Sequence, residues 1–406
     1  MSGPRIAVIF DNFGPYHIAR LAAAASRCNL LGIEVASVSA EYAWNPTAEV
    51  PFERKTLFRV EQGEKKNPQE LERRLDAALS DHGAEVVAIP GWSGYHALIG
   101  LRVARKRSIP VVLMSESQEV DFPRTWFKEW IKRRYLKLCQ AALVGGTPHQ
   151  AYLEKLGMDA GRIFHGYDIV DNAYFARRAE EARAKAETLR WQHGLPVRYF
   201  LASARFIEKK NLQNLISAYA GYRQAVADKT GSCDVCLDLM LLGDGELRPQ
   251  FETLVAELGL QDFVHLPGFK QYPELPIFYG LASAFIHAST SEQWGLVVNE
   301  AMASGLPVLV SERCGCAPDL VKDGVNGFAF DPYDASVMTA LMLKMAGWEC
   351  DLHTMGQASR EIVDRWGPQA FAEGLINAAS AAMEAPATKW GCRDKALLTA
   401  LVRLHS

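Results

Sequence analysis

The feature that most constrains this chain is a regular alternation of short apolar runs with longer amphipathic stretches. Strands are predicted at Arg5–Phe10, Gly32–Val38, Val86–Ile89, Pro110–Met114 and Ala141–Val144. Helices are predicted at His17–Arg27, Gln69–Leu79, Tyr95–Arg107, Trp126–Leu138 and Pro148–Lys155. Strands separated by helices of this length pair through right-handed crossovers, so the pattern implies a parallel sheet. The segment Tyr167–Arg190 breaks the rhythm, being first polar and then rich in Ala, Arg and Glu, without a strand. It reads as a connection between domains that runs into a helix.

Beyond it the alternation resumes. Strands are predicted at Tyr199–Ser203, Leu237–Leu242, Phe263–Leu266, Ala284–His287 and Pro307–Val310, and helices at Leu212–Arg223, Leu247–Leu258, Leu296–Ser304, Ala335–Met345 and Phe371–Met383. A final helical run covers Lys395–Arg403. At 406 residues the chain is too long for one ordinary α/β domain and suits two of roughly 150–200 residues each. The domains are placed at 1–170 and 171–385, followed by a tail, 386–406.

Composition excludes several classes of function. Hydrophobic residues make up 49% and charged residues 22%, so each half can bury a core and the charge content is ordinary. A net charge of −3 gives no reason to expect nucleic acid as a partner. Residues 1–170 hold 22 Lys and Arg against 19 Asp and Glu, or +3, and the remainder holds 22 against 28, or −6. The opening MSGPRIAVIF enters a strand directly, without the basic and apolar regions of a secretory signal. No run approaches the eighteen or so apolar residues of a membrane-spanning helix. A cytoplasmic protein is expected, its 8 cysteines reduced. Cys233-x-x-Cys236 has metal-like spacing, but no second pair accompanies it, and no metal site is assigned.

Two α/β halves do not define an activity, so local motifs must. The most informative is SEQWGLVVNEAMASGLPVLVS, Ser291–Ser311. Gly295 falls at a strand-to-helix turn, and the amides of a helix start favour an anion such as a diphosphate. Glu292 precedes the helix and Glu300 lies within it. A carboxylate accepts two hydrogen bonds from a vicinal diol, which both a sugar ring and a ribose offer. The segment resembles the paired-glutamate signature of retaining glycosyltransferases of family 4, which have the GT-B fold, and the likeness continues through AMASGLPVLVS.

Three further segments follow in the family's order. SARFIEKKNLQNLISAY, Ser203–Tyr219, resembles the stretch whose Arg and Lys bind the donor diphosphate and stabilise the leaving group, which implies those roles for Arg205 and Lys210. The physics agrees, because cleaving a sugar–phosphate bond builds negative charge that fixed cations stabilise. LMLLGDGELRPQF, Leu239–Phe251, places Gly243 and Gly245 at a turn after a strand, where glycine permits close approach of a ligand. Val264–Phe269 resembles the family's strand and loop near the base.

The first half is the looser match. DNFGPYHIARL, Asp11–Leu21, resembles the loop under the donor phosphate, with Gly14 and His17 at the matching positions, although Gly-Pro-Tyr stands where many relatives have paired glycines. After VVLM, where many members carry a sugar-contacting histidine, this chain has Ser115-Glu116-Ser117. Sugar or acceptor contact then falls to Glu116, His96 or His17, and the residues do not choose among them. In CGCAPDLVKDGVNGF, Cys316 replaces a glycine of the family pattern and Asp319 a glutamate.

The resemblance covers nearly all of residues 5–385. It implies two Rossmann-like domains facing across a cleft, the first binding the acceptor and the second the donor, with the tail packing back on the first. The implied activity is transfer of a sugar, with retained configuration, from a nucleoside diphosphate sugar to a glycan or lipid-linked acceptor, as in polysaccharide or glycolipid synthesis. UDP is the favoured base and GDP the next. Arg205, Lys210 and Glu292 are the candidate catalytic residues, and Glu300, Gly295, Trp294, Leu296, Gly243 and Gly14 the candidate donor-binding ones. Arg, Lys and the helix dipole supply a positive field, so this plan requires no metal or other cofactor. Two rivals remain, a GT-B nucleotide-sugar epimerase and a degenerate nucleotide-sugar-binding subunit. A dehydrogenase is disfavoured, since DNFGPYH lacks the G-x-G-x-x-G fingerprint.

One stretch stands apart from this plan. In RTWFKEWIKRRYLKL, Arg124–Leu138, Phe127, Trp130, Ile131, Tyr135 and Leu138 share a helical face at about 100° per residue. Arg124, Lys128, Lys132 and Arg133 cluster on another. The apolar face is expected to pack on the sheet, leaving the basic face free to meet an anionic membrane surface, which would make the protein peripheral at the inner face.

Overall fold

A computed structural model describes residues 3–37, 49–62, 64, 66–121, 123–233, 235–347, 349–386 and 390–405. The chain forms two units, one of Met1–Val170 with Trp366–Ser406 and the other of Asp171–Arg365. Each is a parallel sheet covered by helices on both faces.

The first unit contains β1 (Arg5–Phe10), β2 (Asn29–Ala36), β3 (Glu53–Phe58), β4 (Val86–Pro90), β5 (Val111–Ser115), β6 (Ala141–Val144) and β7 (Ile163–His165), in the order β3-β2-β1-β4-β5-β6-β7. Val38, the expected end of the second strand, lies outside the described residues. The second unit contains β8 (Tyr199–Ser203), β9 (Asp238–Leu242), β10 (Val264–Gly268), β11 (Ala284–His287), β12 (Val308–Ser311) and β13 (Gly327–Phe330), in the order β10-β9-β8-β11-β12-β13. Every ladder is parallel. Both sheets share the 3-2-1-4-5-6 order of Rossmann folds, which opens a crevice beyond the strand ends where the order reverses.

Three strands go beyond the sequence reading. β3 reads ERKTLF, with only its last two residues buried, β7 has 3 residues, and β13 reads GFAF. Edge and very short strands bury too little to show an apolar run.

One boundary departs from the sequence reading. The helix Pro368–Glu384, assigned from sequence to the second domain, belongs to the first unit, so the return falls at Trp366 rather than after residue 385. A parallel sheet needs both faces covered. On one face Leu71, Leu75, Leu98 and Leu101 join Leu398 and Val402 of the final helix, Cys392–His405. On the other, Phe371, Leu375 and Ala378 join Leu21 and Ala24 of the helix Pro15–Ala25. Gly374 lies so close to the sheet that a Cβ there would meet the His165 carbonyl at 2.2 Å. Burial of Phe371 and Leu375 alone is worth roughly 1.5–3 kcal/mol each.

A second correction concerns the helix Trp126–Leu136. Its apolar residues do not pack on the sheet as a face: Tyr135 and Leu136 are buried, but Trp126, Phe127 and Trp130 are exposed. Among the described residues, no helix is long and apolar enough to cross a membrane.

Candidate functional site

In the second unit the strand order reverses between β8 and β11, so a ligand is expected beyond Ser203 and His287. Both loops there carry residues singled out from sequence. After β8 comes Arg205, then a single 3-10 turn, Glu208–Lys210, then the helix Leu212–Thr230. Asn211 joins turn and helix with φ +57, a left-handed conformation that Asn tolerates better than most residues. Its side-chain amide donates to the carbonyls of Ala288 and Pro332 at 3.1 and 2.7 Å. The Thr290 amide donates to the Lys209 carbonyl at 2.9 Å. These bonds lock the lysine turn against the loop that follows β11.

That locking brings Lys210 onto Glu292, whose Oε2 accepts from the Lys210 ammonium. The same oxygen lies 3.4 Å from Ser289 Oγ and 3.5 Å from His287 Nε2, and Ser289 and His287 are 3.2 Å apart. Burial works against ionisation of Glu292, but the His287 hydrogen bond and the Lys210 charge outweigh it and hold the carboxyl well below its usual range. Burial pushes His287 down, against the pull of Glu292. Side-chain exposure is 12% for Lys210 and 15% for Glu292. A shielded pair of this kind gives little net stability over apolar residues, so its position at the ligand edge points to chemistry rather than to folding.

Gly295 starts the helix Leu296–Ala303 with φ +105, and a Cβ there would lie 3.6 Å from Glu292 Cγ and 3.7 Å from His287 Nε2. Lys210, Glu292 and the helix start are therefore one constellation. Leu296 is half-buried at the first helical position, and first-turn amides lack partners within a helix. Trp294 is a core residue, 2% exposed, whose indole donates to Asn299 Oδ1 at 2.9 Å. Its side chain anchors the turn, which leaves only its backbone to face a ligand. The loop of Cys314–Cys316 closes the underside, with the Gly315 amide on the Glu292 carbonyl at 3.0 Å and the Cys316 amide on the Trp294 carbonyl at 3.1 Å. Burial raises both thiols, so they are inert packing groups.

Glu300 sits apart from that constellation. It is 1% exposed, and its Oε2 accepts from the Tyr279 hydroxyl at 2.7 Å. Burial and Glu300 push the Tyr279 hydroxyl up, keeping it a donor. Arg205 is exposed, with no acidic partner among the described residues. Gly243 and Gly245 have a packing reason first. A Cβ on Gly243 would meet the Ala204 carbonyl at 1.8 Å, and one on Gly245 the Phe206 carbonyl at 2.6 Å. The Phe206 amide donates to the Asp244 carbonyl at 2.8 Å. The glycine turn thus holds the loop that carries Arg205.

The other candidates lie in the first unit. Gly14 begins the helix Pro15–Ala25, and its amide donates to His17 Nδ1 at 3.1 Å. The His17 ring packs on Phe10 with centroids 4.3 Å apart. Burial, then Arg20, pushes His17 down to about 3, so the ring is neutral. His96 follows β4, with Nδ1 4.0 Å from Asp11 Oδ1. Burial lowers it despite Asp11. Gly14, His17 and His96 thus border the reversal between β1 and β4. Glu116 lies beyond β5, near the buried Asp168, whose carboxyl is pushed well up by burial and then by the neighbouring Glu116 charge, while Arg20 at 3.7 Å opposes the shift.

Sequence reasoning missed His287, Ser289, Tyr279, Asn299, Arg20 and Asp168. For His287 the signal was present, a histidine closing a buried strand at a ligand edge. The others are visible only through tertiary contacts.

Two Rossmann-like parallel-sheet units with these strand orders define the GT-B class of fold. Residues 185–361 match the family of glycosyl transferases group 1. The amylovoran biosynthesis glycosyltransferase AmsK of Erwinia amylovora is 31% identical over 170 residues, 40% of this chain and 40% of its own length. The chain spans less than two thirds of the length of the curated relatives it matches. Sucrose-phosphate synthase from Thermosynechococcus elongatus aligns over 92% of this chain and 97% of its own, with TM-score 0.69 and 18% identity. The Anabaena protein HepE, in complex with UDP and glucose, aligns over 92% and 98%, with TM-score 0.67 and 17% identity. At such identities the likeness is one of fold.

Proposed function

We propose that this chain is a retaining glycosyltransferase that moves a sugar from a nucleoside diphosphate sugar to a glycan or lipid-linked acceptor. The observation that carries the reading is the Lys210–Glu292 pair at the strand-order reversal, against the start of the Gly295 helix. UDP is favoured as the base, in keeping with the UDP held by HepE. The match to glycosyl transferases group 1 covers the part of the chain that builds this site.

In this reading the diphosphate lies on the first-turn amides after Gly295, where the helix dipole favours an anion. Lys210 and Arg205 stabilise the charge that builds on the leaving diphosphate, worth roughly 10²–10³ in rate for each well-placed donor. Glu292, held ionised, accepts from hydroxyls of the transferred sugar. Glu300 takes the ribose, sharing its carboxylate between that diol and Tyr279. The first unit receives the acceptor, with His17, His96 and Glu116 as the polar groups at its strand ends.

The test is a melting and hydrolysis screen against UDP, GDP and ADP and their sugars, with Glu300→Ala alongside. One diphosphate nucleotide should raise the melting temperature, less so in the variant, and slow release of that nucleotide from one sugar donor should follow. No shift with any nucleotide, in folded protein, overturns the reading.

A further inference from the structure

We infer that the outward face of the helix Trp126–Leu136, with the cavity at its C-terminal end, is a docking surface for an anionic bilayer. Positions 126, 130, 133 and 137 form one stripe along a helix. Here it runs Trp126, Trp130, Arg133, Lys137, aromatic at one end and cationic at the other. Trp126 is 81% exposed, Phe127 52% and Trp130 44%. The three rings form a continuous ridge, with centroids 5.8 Å apart for Trp126 and Phe127 and 6.2 Å for Phe127 and Trp130. A contiguous exposed aromatic ridge marks an interaction site, and tryptophan suits the boundary between acyl chains and headgroups.

The charges identify the partner. Arg124 and Lys132 face Glu129, and Arg134 pairs with Asp394. Arg133, Lys137 and Arg162 have no acidic partner among the described residues. These three line a cavity of about 150 Å³ floored by Leu136 and Met158. Three unneutralised cations around one small cavity suit a phosphate, and the ridge beside it suits the lipid's apolar part. A second copy of this chain fits poorly, because a two-fold contact needs acidic groups on the same patch. The helix's one carboxylate, Glu129, is already engaged, accepting from Tyr152 at 2.8 Å and facing Arg124 and Lys132.

The experiment is co-sedimentation of the full chain with vesicles of phosphatidylcholine alone, or with about a third phosphatidylglycerol. Binding is expected on the anionic vesicles only and should weaken as salt rises. Trp126→Ala with Trp130→Ala should reduce it at least tenfold. Arg133→Glu with Lys137→Glu should do the same, and both variants should keep the wild-type melting temperature. Failure of the wild type to sediment with anionic vesicles overturns the inference, as does undiminished binding by both double variants. A dimer in sedimentation velocity that these substitutions dissolve, without vesicle binding, assigns the face to a second copy and also overturns it. Nucleotide-induced melting shifts are unaffected by any of these outcomes, so the reading of the second unit stands or falls separately.

Discussion

At the scale of single residues, the two cations of the proposed donor site make a contrast. Arg205 is exposed and has no acidic partner among the described residues, so Arg205→Ala should leave stability within about 0.5 kcal/mol while lowering transfer roughly 10²–10³-fold. Lys210→Ala removes the ammonium from a shielded carboxylate, an uncompensated charge that typically costs about 3–5 kcal/mol when fully buried. It should therefore lower both melting temperature and turnover. Denaturation and rate measurements on the two variants check this, and equal stabilities would contradict the observed pairing. Tyr279→Phe should weaken nucleotide binding by about 1 kcal/mol, roughly fivefold, if the hydroxyl orients Glu300, as isothermal titration would show. Protonation gives a further handle. His17 has an ordinary value of 6.5 and is pushed down to about 3 in the fold, so unfolding takes up a proton between those values. Its contribution therefore erodes stability as pH falls below 6.5. Stability curves of the wild type and His17→Asn should converge in that window, the variant having the flatter acid limb.

At the scale of elements, the glycine turn after β9 is a structural clamp on the loop after β8. Gly243→Ala meets both a left-handed φ of +123 and the Ala204 carbonyl. Strain of this kind costs about 1–3 kcal/mol before any clash is relieved. The variant should melt lower and also lose turnover, because relieving the clash displaces Arg205. Melting curves with single-turnover assays would show it, and lowered stability with unchanged turnover would break the link. Legibility differed by element for physical reasons. Central strands such as β1, β8 and β11 are buried on both faces and stand out as apolar runs, whereas β3, β7 and β13 are edge or short. The Glu292 and Glu300 spacing was legible because it is local. The contact of Lys210 with Glu292, the bond from Tyr279 to Glu300 and the core position of Trp294 are tertiary facts with no sequence period. The helix Trp126–Leu136 misled for a related reason. A helical wheel identifies an apolar sector, but not whether the sheet beneath is already covered.

At the scale of the molecule, the second unit is continuous in sequence and the first is not. Residues 171–365, expressed alone, should fold and retain the nucleotide-induced melting shift. Residues 1–170 alone lack the helix whose Phe371 and Leu375 cover one face of their sheet, and the final helix over the other. They should aggregate, and co-expression with 366–406 should restore soluble material. Size-exclusion chromatography of the fragments decides both points, and a soluble, monomeric 1–170 would show that the returning segment is dispensable.

The return of the chain to its first sheet also imposes an order on synthesis. The seven strands of the first unit emerge from the ribosome long before the helices that roof them. For as long as 195 intervening residues, 171 to 365, take to be made, that sheet is short of cover. At roughly 5–20 residues per second, the delay is on the order of 10–40 seconds. The second unit can finish within that interval, so the unit made first is the one completed last. In a living cell, chaperone demand should fall on the first unit, however stable the finished protein proves in a test tube.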